Sequence, residues 1–185
     1  MRIAVYSGSF DPLHIGHLAI MEYLSRDKDF DWVYLVVSPK NPLKESIQAE
    51  SAGDRFLAAV DAVRRYPKLH VWVDDIELNL PPPQFTIRTL DTLKSREPEN
   101  DFTLIMGADN LDGIRRWRDF PRILCEYGVA VYPRKGFDLE AIRTALLEEN
   151  PDYKIRIIDA PVVNISSTRI REGLACGEDM SEWLM

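Results

Sequence analysis

Two histidines three residues apart, His14 and His17, lie in the stretch SGSFDPLHIGH (residues 7–17), with Gly8, Pro12 and Gly16 around them. A glycine lets a ligand approach the main chain closely, so Gly8 reads as a contact point. Pro12 stiffens the turn and removes a backbone donor. Gly16 and His17 are expected to open a helix, whose free amides and dipole attract anions. Imidazoles at this spacing can face the same way, and their ring N–H groups donate hydrogen bonds. The chemistry this favours is phosphate binding. Asp11 with the two histidines could instead ligate a metal, but no third strong ligand stands at a recognisable spacing. Neither GxxxxGK[ST] nor GxGxxG occurs, so the stretch is neither a Walker loop nor a dinucleotide fingerprint.

A second anion-binding pattern stands far along the chain, in ISSTRIRE (165–172). Ser166, Ser167 and Thr168 are placed immediately before a helix carrying Ile170, Arg171 and Leu174. Hydroxyls there ordinarily cap the helix. Arg169 and Arg171 add something else: a cation in a helix's first turn opposes the dipole, and an anionic ligand would offset that cost. Together the two patterns would hold a polyphosphate between two helix N-termini.

The elements that must position these groups alternate in kind. RIAVY (2–6), WVYLVVS (32–38), LHVWV (69–73), DFTLIMG (101–107), GVAVYP (128–133) and KIRIID (154–159) are short and rich in β-branched and aromatic residues, as strands are. Several are apolar at successive positions, which suits parallel strands covered on both faces. Helical spacing predicts helices over 16–26, 52–66, 85–96 and 138–149. This alternation gives a doubly wound, mainly parallel α/β sheet. Ligands of such sheets bind beyond the carboxyl ends of the strands, where 7–17, 38–44, 107–117 and 164–172 all fall. LNLPPPQF (78–85) reads as a rigid surface loop, and RRWRDF sets Trp117 among charges, as at an exposed loop tip. A single domain over 1–185 is expected, with a small C-terminal helical segment from about 166.

Composition narrows the classes. The 185 residues carry 23 Lys and Arg against 30 Asp and Glu, a net charge of −7. That balance argues against a general nucleic-acid or anionic-membrane binder. No apolar run approaches the roughly 18 residues of a membrane helix, and no basic-then-apolar leader opens the sequence, so a cytoplasmic location is expected. Cys125 and Cys176 lack CxxC spacing and read as buried, reduced thiols.

The early GSFDPLHIGHL and late ISSTRIR together resemble the HxGH nucleotidylyltransferase superfamily, over essentially the whole chain. LIMGADNL, Trp117 and PPPQFT narrow the resemblance to the bacterial nicotinate mononucleotide adenylyltransferases. It implies a Rossmann-like nucleotidylyltransferase fold and transfer of the adenylyl group of ATP to nicotinate mononucleotide, giving deamido-NAD and pyrophosphate in NAD biosynthesis. By position, it implies that His14, His17 and Arg171 are the catalytic groups. His14 would lie near the α-phosphate, with Ser167, Thr168 and Arg171 on the β- and γ-phosphates. Gly8, Ser9 and Phe10 would line the ATP and mononucleotide sites through main chain, and Gly107 and Asp109 would face the adenosine ribose. Mg²⁺ would enter with ATP, held by phosphate oxygens and water rather than by a protein metal site. Lys44 would neutralise the mononucleotide phosphate, Trp117 would stack on the pyridine ring, Thr86 would lie near its carboxylate, and Arg134 is a further phosphate candidate.

Three departures from the family pattern stand out. Asn41-Pro42-Leu43-Lys44 lacks the histidine usual before the lysine, and Phe85 replaces a more common tyrosine. Relatives usually continue past the last helix with a segment that packs back on the sheet, whereas here the last residues are SEWLM, so a shorter or dispensable tail is expected. Competing expectations are a phosphopantetheine adenylyltransferase-like enzyme and a non-catalytic nucleotide sensor of the same fold. Oligomeric state is not legible.

Overall fold

The structure is a computed structural model, and it describes residues 1–39 and 51–185. Six strands form one fully parallel sheet: β1 (Arg2–Gly8), β2 (Trp32–Val37), β3 (Val71–Asp74), β4 (Asp101–Gly107), β5 (Val129–Tyr132) and β6 (Ile155–Ile157). Their spatial order is β3-β2-β1-β4-β5-β6. The helices are α1 (Ile15–Arg26), α2 (Ala52–Arg64), α3 (Ile76–Asn79), α4 (Thr86–Arg96), α5 (Ala108–Asp112), α6 (Phe120–Arg122), α7 (Leu139–Glu149) and α8 (Ser167–Ala175).

Successive residues of a strand point to opposite faces, and each face builds its own core. Ala4, Tyr6, Leu35 and Ile105 pack with Met21 and Leu24 of α1 and with Ala59 and Ala62 of α2. Ile3, Val5, Leu104 and Met106 pack on the other side with Leu90 and Leu93 of α4, Leu111 of α5 and Leu146 of α7. Both faces are thus covered, which is why the strands read as nearly continuous apolar runs.

The chain order reverses direction across the sheet between β1 and β4. Their pairing runs up to Tyr6↔Ile105. Beyond it β1 continues only with β2, to Gly8↔Val37, and β4 only with β5, to Gly107↔Tyr132. The two strands part there, and a crevice opens at the switch point.

The predicted strands and long helices are all present, with ends moved by a few residues. The short helices α3, α5 and α6 are additions, because three to five residues carry too little periodicity to read. Three expectations are corrected. Trp117 is half-buried against the α4–α5–α7 core rather than at an exposed tip, since it follows Ile114, which is fully buried there. Cys125 is half-buried and Cys176 exposed, so neither is a buried thiol. The C-terminal residues do pack back: Leu184 makes an antiparallel bridge with His14, Met185 is buried in the α1–α2 core, and its backbone oxygen accepts from Arg65 Nη1 at 3.2 Å.

Candidate active site

The turn leaving β1 is shaped by its own side chains. A Cβ at Gly8 would stand 3.0 Å from the Phe10 ring, so any larger residue there would press on that ring. Phe10 holds a left-handed backbone (φ 46°), which costs a non-glycine residue roughly 1–2 kcal/mol. Burial of its ring, edge-on to Tyr6 at 5.4 Å and to His17 at 5.1 Å, offsets that strain. On α2, Arg55 is fully buried and its guanidinium donates to the Ser9 carbonyl, tying that helix to the turn. Neither the strain at Phe10 nor the part played by Arg55 was legible beforehand. A basic residue on a predicted amphipathic helix reads as solvated.

His14, not Gly16, begins the helix, as N-cap of α1. Its Nδ1 accepts from the Gly16 amide at 3.1 Å, and the His14 amide donates to Nδ1 of His17 at 3.2 Å. The two histidines therefore form a capping box, a role normally taken by Ser or Thr with Glu. Their rings stack with centroids 3.7 Å apart. Because both Nδ1 atoms accept, the proton of each neutral ring is on Nε2. Burial, with the Arg134 charge nearby, lowers the His14 pKa to about 4. Burial, His14 and Arg134 hold His17 well below its ordinary value too. At neutral pH the pair is uncharged and offers two Nε2–H donors.

Both histidines line a cleft at the switch point, together with Tyr6, Tyr132, Arg134 and Ile165 among others. Arg134 lies over the Tyr132 ring at 5.2 Å and pairs with Asp109 at 3.7 Å. Gly107 lies close under these side chains: a Cβ there would stand 2.5 Å from Asp109 Oδ1 and 3.1 Å from Arg134 Nε, so both would have to move. Arg134 thus stands with His14, His17, Gly107 and Asp109.

Helix α8 closes on the same turn. Ser166 is its N-cap, accepting from the Arg169 amide at 3.1 Å, so Ser167 and Thr168 lie in the first turn rather than before it. Ser167 Oγ donates to the Pro12 carbonyl at 2.9 Å. Arg171 Nη1 donates to the Asp11 carbonyl at 2.5 Å, with Nη2 3.4 Å from Thr168 Oγ1. Arg169 turns away to Glu178 at 2.6 Å, which explains its place in the first turn without a ligand.

A second group forms beside the first. Phe85 is N-cap of α4 and cannot cap it through its side chain, so among the described residues the first amides at Thr86 have no side-chain cap. The guanidinium of Arg118, next to Trp117, lies over the Phe85 ring at 5.8 Å, and that of Arg88 lies at the same distance. Phe85 and Thr86 thus open α4, and Arg118 brings the segment that carries Trp117 to the Phe85 ring. Lys44 lies outside the described residues.

The sequence matches the cytidylyltransferase-like family over residues 5–173. It is 38% identical to a probable nicotinate-nucleotide adenylyltransferase of Flavobacterium johnsoniae, over all of this chain and 92% of that one. It is 39% identical to a protein of the same description from Bacteroides fragilis, over 99% of this chain and 87% of that one. The chain belongs to the nicotinate-nucleotide adenylyltransferase family. The fold of a nicotinic acid mononucleotide adenylyltransferase from Plasmodium falciparum, solved with NaAD, superposes with a TM-score of 0.79 at 21% identity, covering 98% of this chain and 87% of that one. Within this adenylyltransferase fold, the switch-point cleft is where strand order alone would put a ligand. Among the described residues no helix is long and apolar enough to cross a membrane.

Proposed function

We propose that the protein transfers the adenylyl group of ATP to nicotinate mononucleotide, releasing pyrophosphate. The observation that carries this reading is the pair of stacked, neutral imidazoles whose Nε2–H donors belong to the cleft beside Arg134, on a turn that α8 also grips. A phosphate oxygen of the mononucleotide attacks the α-phosphorus, and the bond from that phosphorus to the bridging oxygen breaks as pyrophosphate leaves. The attacking oxygen is already ionised, so no side-chain nucleophile is needed. Alignment and neutralisation of departing charge supply the catalysis.

His14 donates to the α-phosphate as negative charge grows there, and His17 donates beside it. Their low pKa values suit this, because a neutral N–H binds without first shedding or taking up a proton. Ser167, Thr168 and Arg171 take the β- and γ-phosphates, which requires Arg171 to share or exchange its hold on Asp11. Asp109 accepts from the ribose hydroxyls at Gly107, and Gly8, Ser9 and Phe10 line the site through main chain. Among the described residues no three His, Cys, Asp or Glu side chains cluster to hold a metal ion. A Mg²⁺ ion entering with ATP would be held mainly by phosphate oxygens and water, and would screen charge on the leaving pyrophosphate.

Trp117 stacks on the pyridine ring with Phe85 at its edge, Lys44 meets the mononucleotide phosphate, and the uncapped amides at Thr86 donate to the carboxylate. A nicotinamide ring would turn an amide donor toward one of them, and such a mismatch costs about 1–3 kcal/mol. The test is pyrophosphate release from ATP with nicotinate or nicotinamide mononucleotide, or phosphopantetheine, as acceptor. Nicotinate mononucleotide should win over nicotinamide mononucleotide by about 5- to 150-fold in kcat/KM. Turnover only with phosphopantetheine, or none with any acceptor, would overturn the reading.

A further inference from the structure

Glu77, in the four-residue helix α3, is a buried acid to which the reaction above gives no part; it is 5% exposed. No Lys, Arg or His pairs with it among the described residues. Three hydroxyls meet it instead. Ser38 Oγ donates to Oε2 at 2.5 Å, Thr89 Oγ1 donates to Oε1 at 2.9 Å, and Ser7 Oγ reaches Oε1 at 3.2 Å. Ser7 and Ser38 are also 2.9 Å from each other.

The three hydroxyls come from three different elements, each at the end that faces the site. Ser7 directly precedes Gly8 at the end of β1. Ser38 follows β2, and its amide donates to the Gly8 carbonyl at 2.9 Å. Thr89 lies three residues past Thr86 in the opening turns of α4. A carboxylate only accepts, so a single group fixes the direction of these hydroxyls at once. Burying it without a cation is unfavourable compared with an apolar side chain of similar size, so the cluster is poorly explained by stability alone.

We propose that Glu77 is a positioning residue for the mononucleotide half of the site. It holds the end of β1 against the end of β2 and against the start of α4, so that the Gly8 main chain and the Thr86 amides keep a fixed spacing. This rests on the function proposed above. Among the described residues no hydrogen bond or ion pair joins the histidine and α8 groups to the cluster, so the triphosphate contacts should be indifferent to it.

The experiment compares Glu77→Ala and Glu77→Gln with wild type, well below the melting temperature of each. In Glu77→Ala the KM for nicotinate mononucleotide should rise by about tenfold or more, while the KM for ATP stays within about twofold. Glu77→Gln should recover part of that loss, because its amide oxygen accepts and the hydroxyls can turn to accept from its NH₂. A lower melting temperature with both KM values unchanged would overturn the proposal, as would an equal rise in both. Hydrogen exchange in the absence of substrate provides the second readout. The amides of Gly8, Thr86 and Ile87 should exchange faster in Glu77→Gln, and those of Gly16 and Arg169 should not. Uniform exchange in that variant would also overturn it. If wild type used no nicotinate mononucleotide, the functional reading alone would fail, and the exchange pattern would still decide whether Glu77 spaces these elements.

Discussion

Around His14 and His17 the turn is held by the groups that would meet the ligand. The two imidazoles cap α1, stack on each other and present their outer nitrogens, while Ser167 and Arg171 hold the backbone of the same turn. Around Phe85 and Trp117, the groups that would meet the ligand do little of the holding. Trp117 packs on the core, Phe85 leaves its helix uncapped, and the spacing is set from beneath by Glu77 and three hydroxyls. Where binding and scaffolding share a side chain, a substitution hits both at once. Where they are separate, as at Glu77, the scaffold can be changed without removing a ligand contact; Trp117, packed on the core, still serves both.

The largest break should come at the histidines. His14→Ala and His17→Ala should lower transfer by roughly 10²-fold or more, as when a transition-state donor is lost. They should also destabilise the fold, because each removes part of a helix cap worth about 1 kcal/mol. His14→Asn separates the effects: asparagine caps well, so stability should return while activity stays low. Kinetics beside thermal melts check this, and near-normal turnover in His14→Asn would remove His14 from the chemistry.

Arg171→Ala comes next. Loss of a charge-assisted contact should weaken ATP by about 1.5–3 kcal/mol, with little change for the mononucleotide, measured by titration calorimetry with each ligand. Trp117→Ala tests the other region. Loss of stacking should raise KM for both mononucleotides by about 2- to 12-fold and leave their ratio intact. Because Trp117 is half-buried on the core, a lower melting temperature should accompany it. A collapsed ratio would mean that Trp117 itself reads the carboxylate.

The pH dependence of stability sharpens the first region. The folded pKa of His14, about 4, lies below the unfolded value of about 6.5. Between these values the unfolded chain binds more protons, so stability rises with pH. The contribution is fully present above about pH 6.5 and is lost as pH falls toward 4, at no more than about 1.4 kcal/mol per unit for this group. His17, shifted the same way, adds to the loss. As pH falls through this window, the melting temperature of wild type should fall relative to that of a His14→Asn, His17→Gln variant, which lacks the two titrating groups. Parallel curves would mean that the imidazoles are not held neutral.

The unequal legibility of the two regions has the same origin. A capped turn is local in sequence, so Gly8, Pro12, His14, Gly16 and His17 announce it within ten residues. The sheet was legible because its strands are covered on both faces. Glu77 and Arg55 act across separations of 12 to 70 residues, and their neighbours in sequence say nothing about partners on other elements. Trp117 misled for a related reason. Its charged neighbours are solvated, yet Ile114, three residues before it, anchors the segment to the core.

The smallest expected effect separates two arginines that the sequence treats alike. Arg169 and Arg171 both stand early in α8, and a cation there opposes the helix dipole. The fold resolves the conflict differently for each. Arg169 reaches Glu178, and both side chains are about half exposed, so solvent screens the pair and its loss should hardly register. Arg171 points the other way, onto the turn that carries His14, with a side chain 28% exposed. Arg169→Ala should therefore leave ATP affinity within about twofold of wild type, at low and high salt alike. Titration of ATP into Arg169→Ala and Arg171→Ala side by side measures the contrast. A loss in Arg169→Ala comparable with that in Arg171→Ala, and screened by salt, would mean that the triphosphate extends past the turn and draws Arg169 away from Glu178.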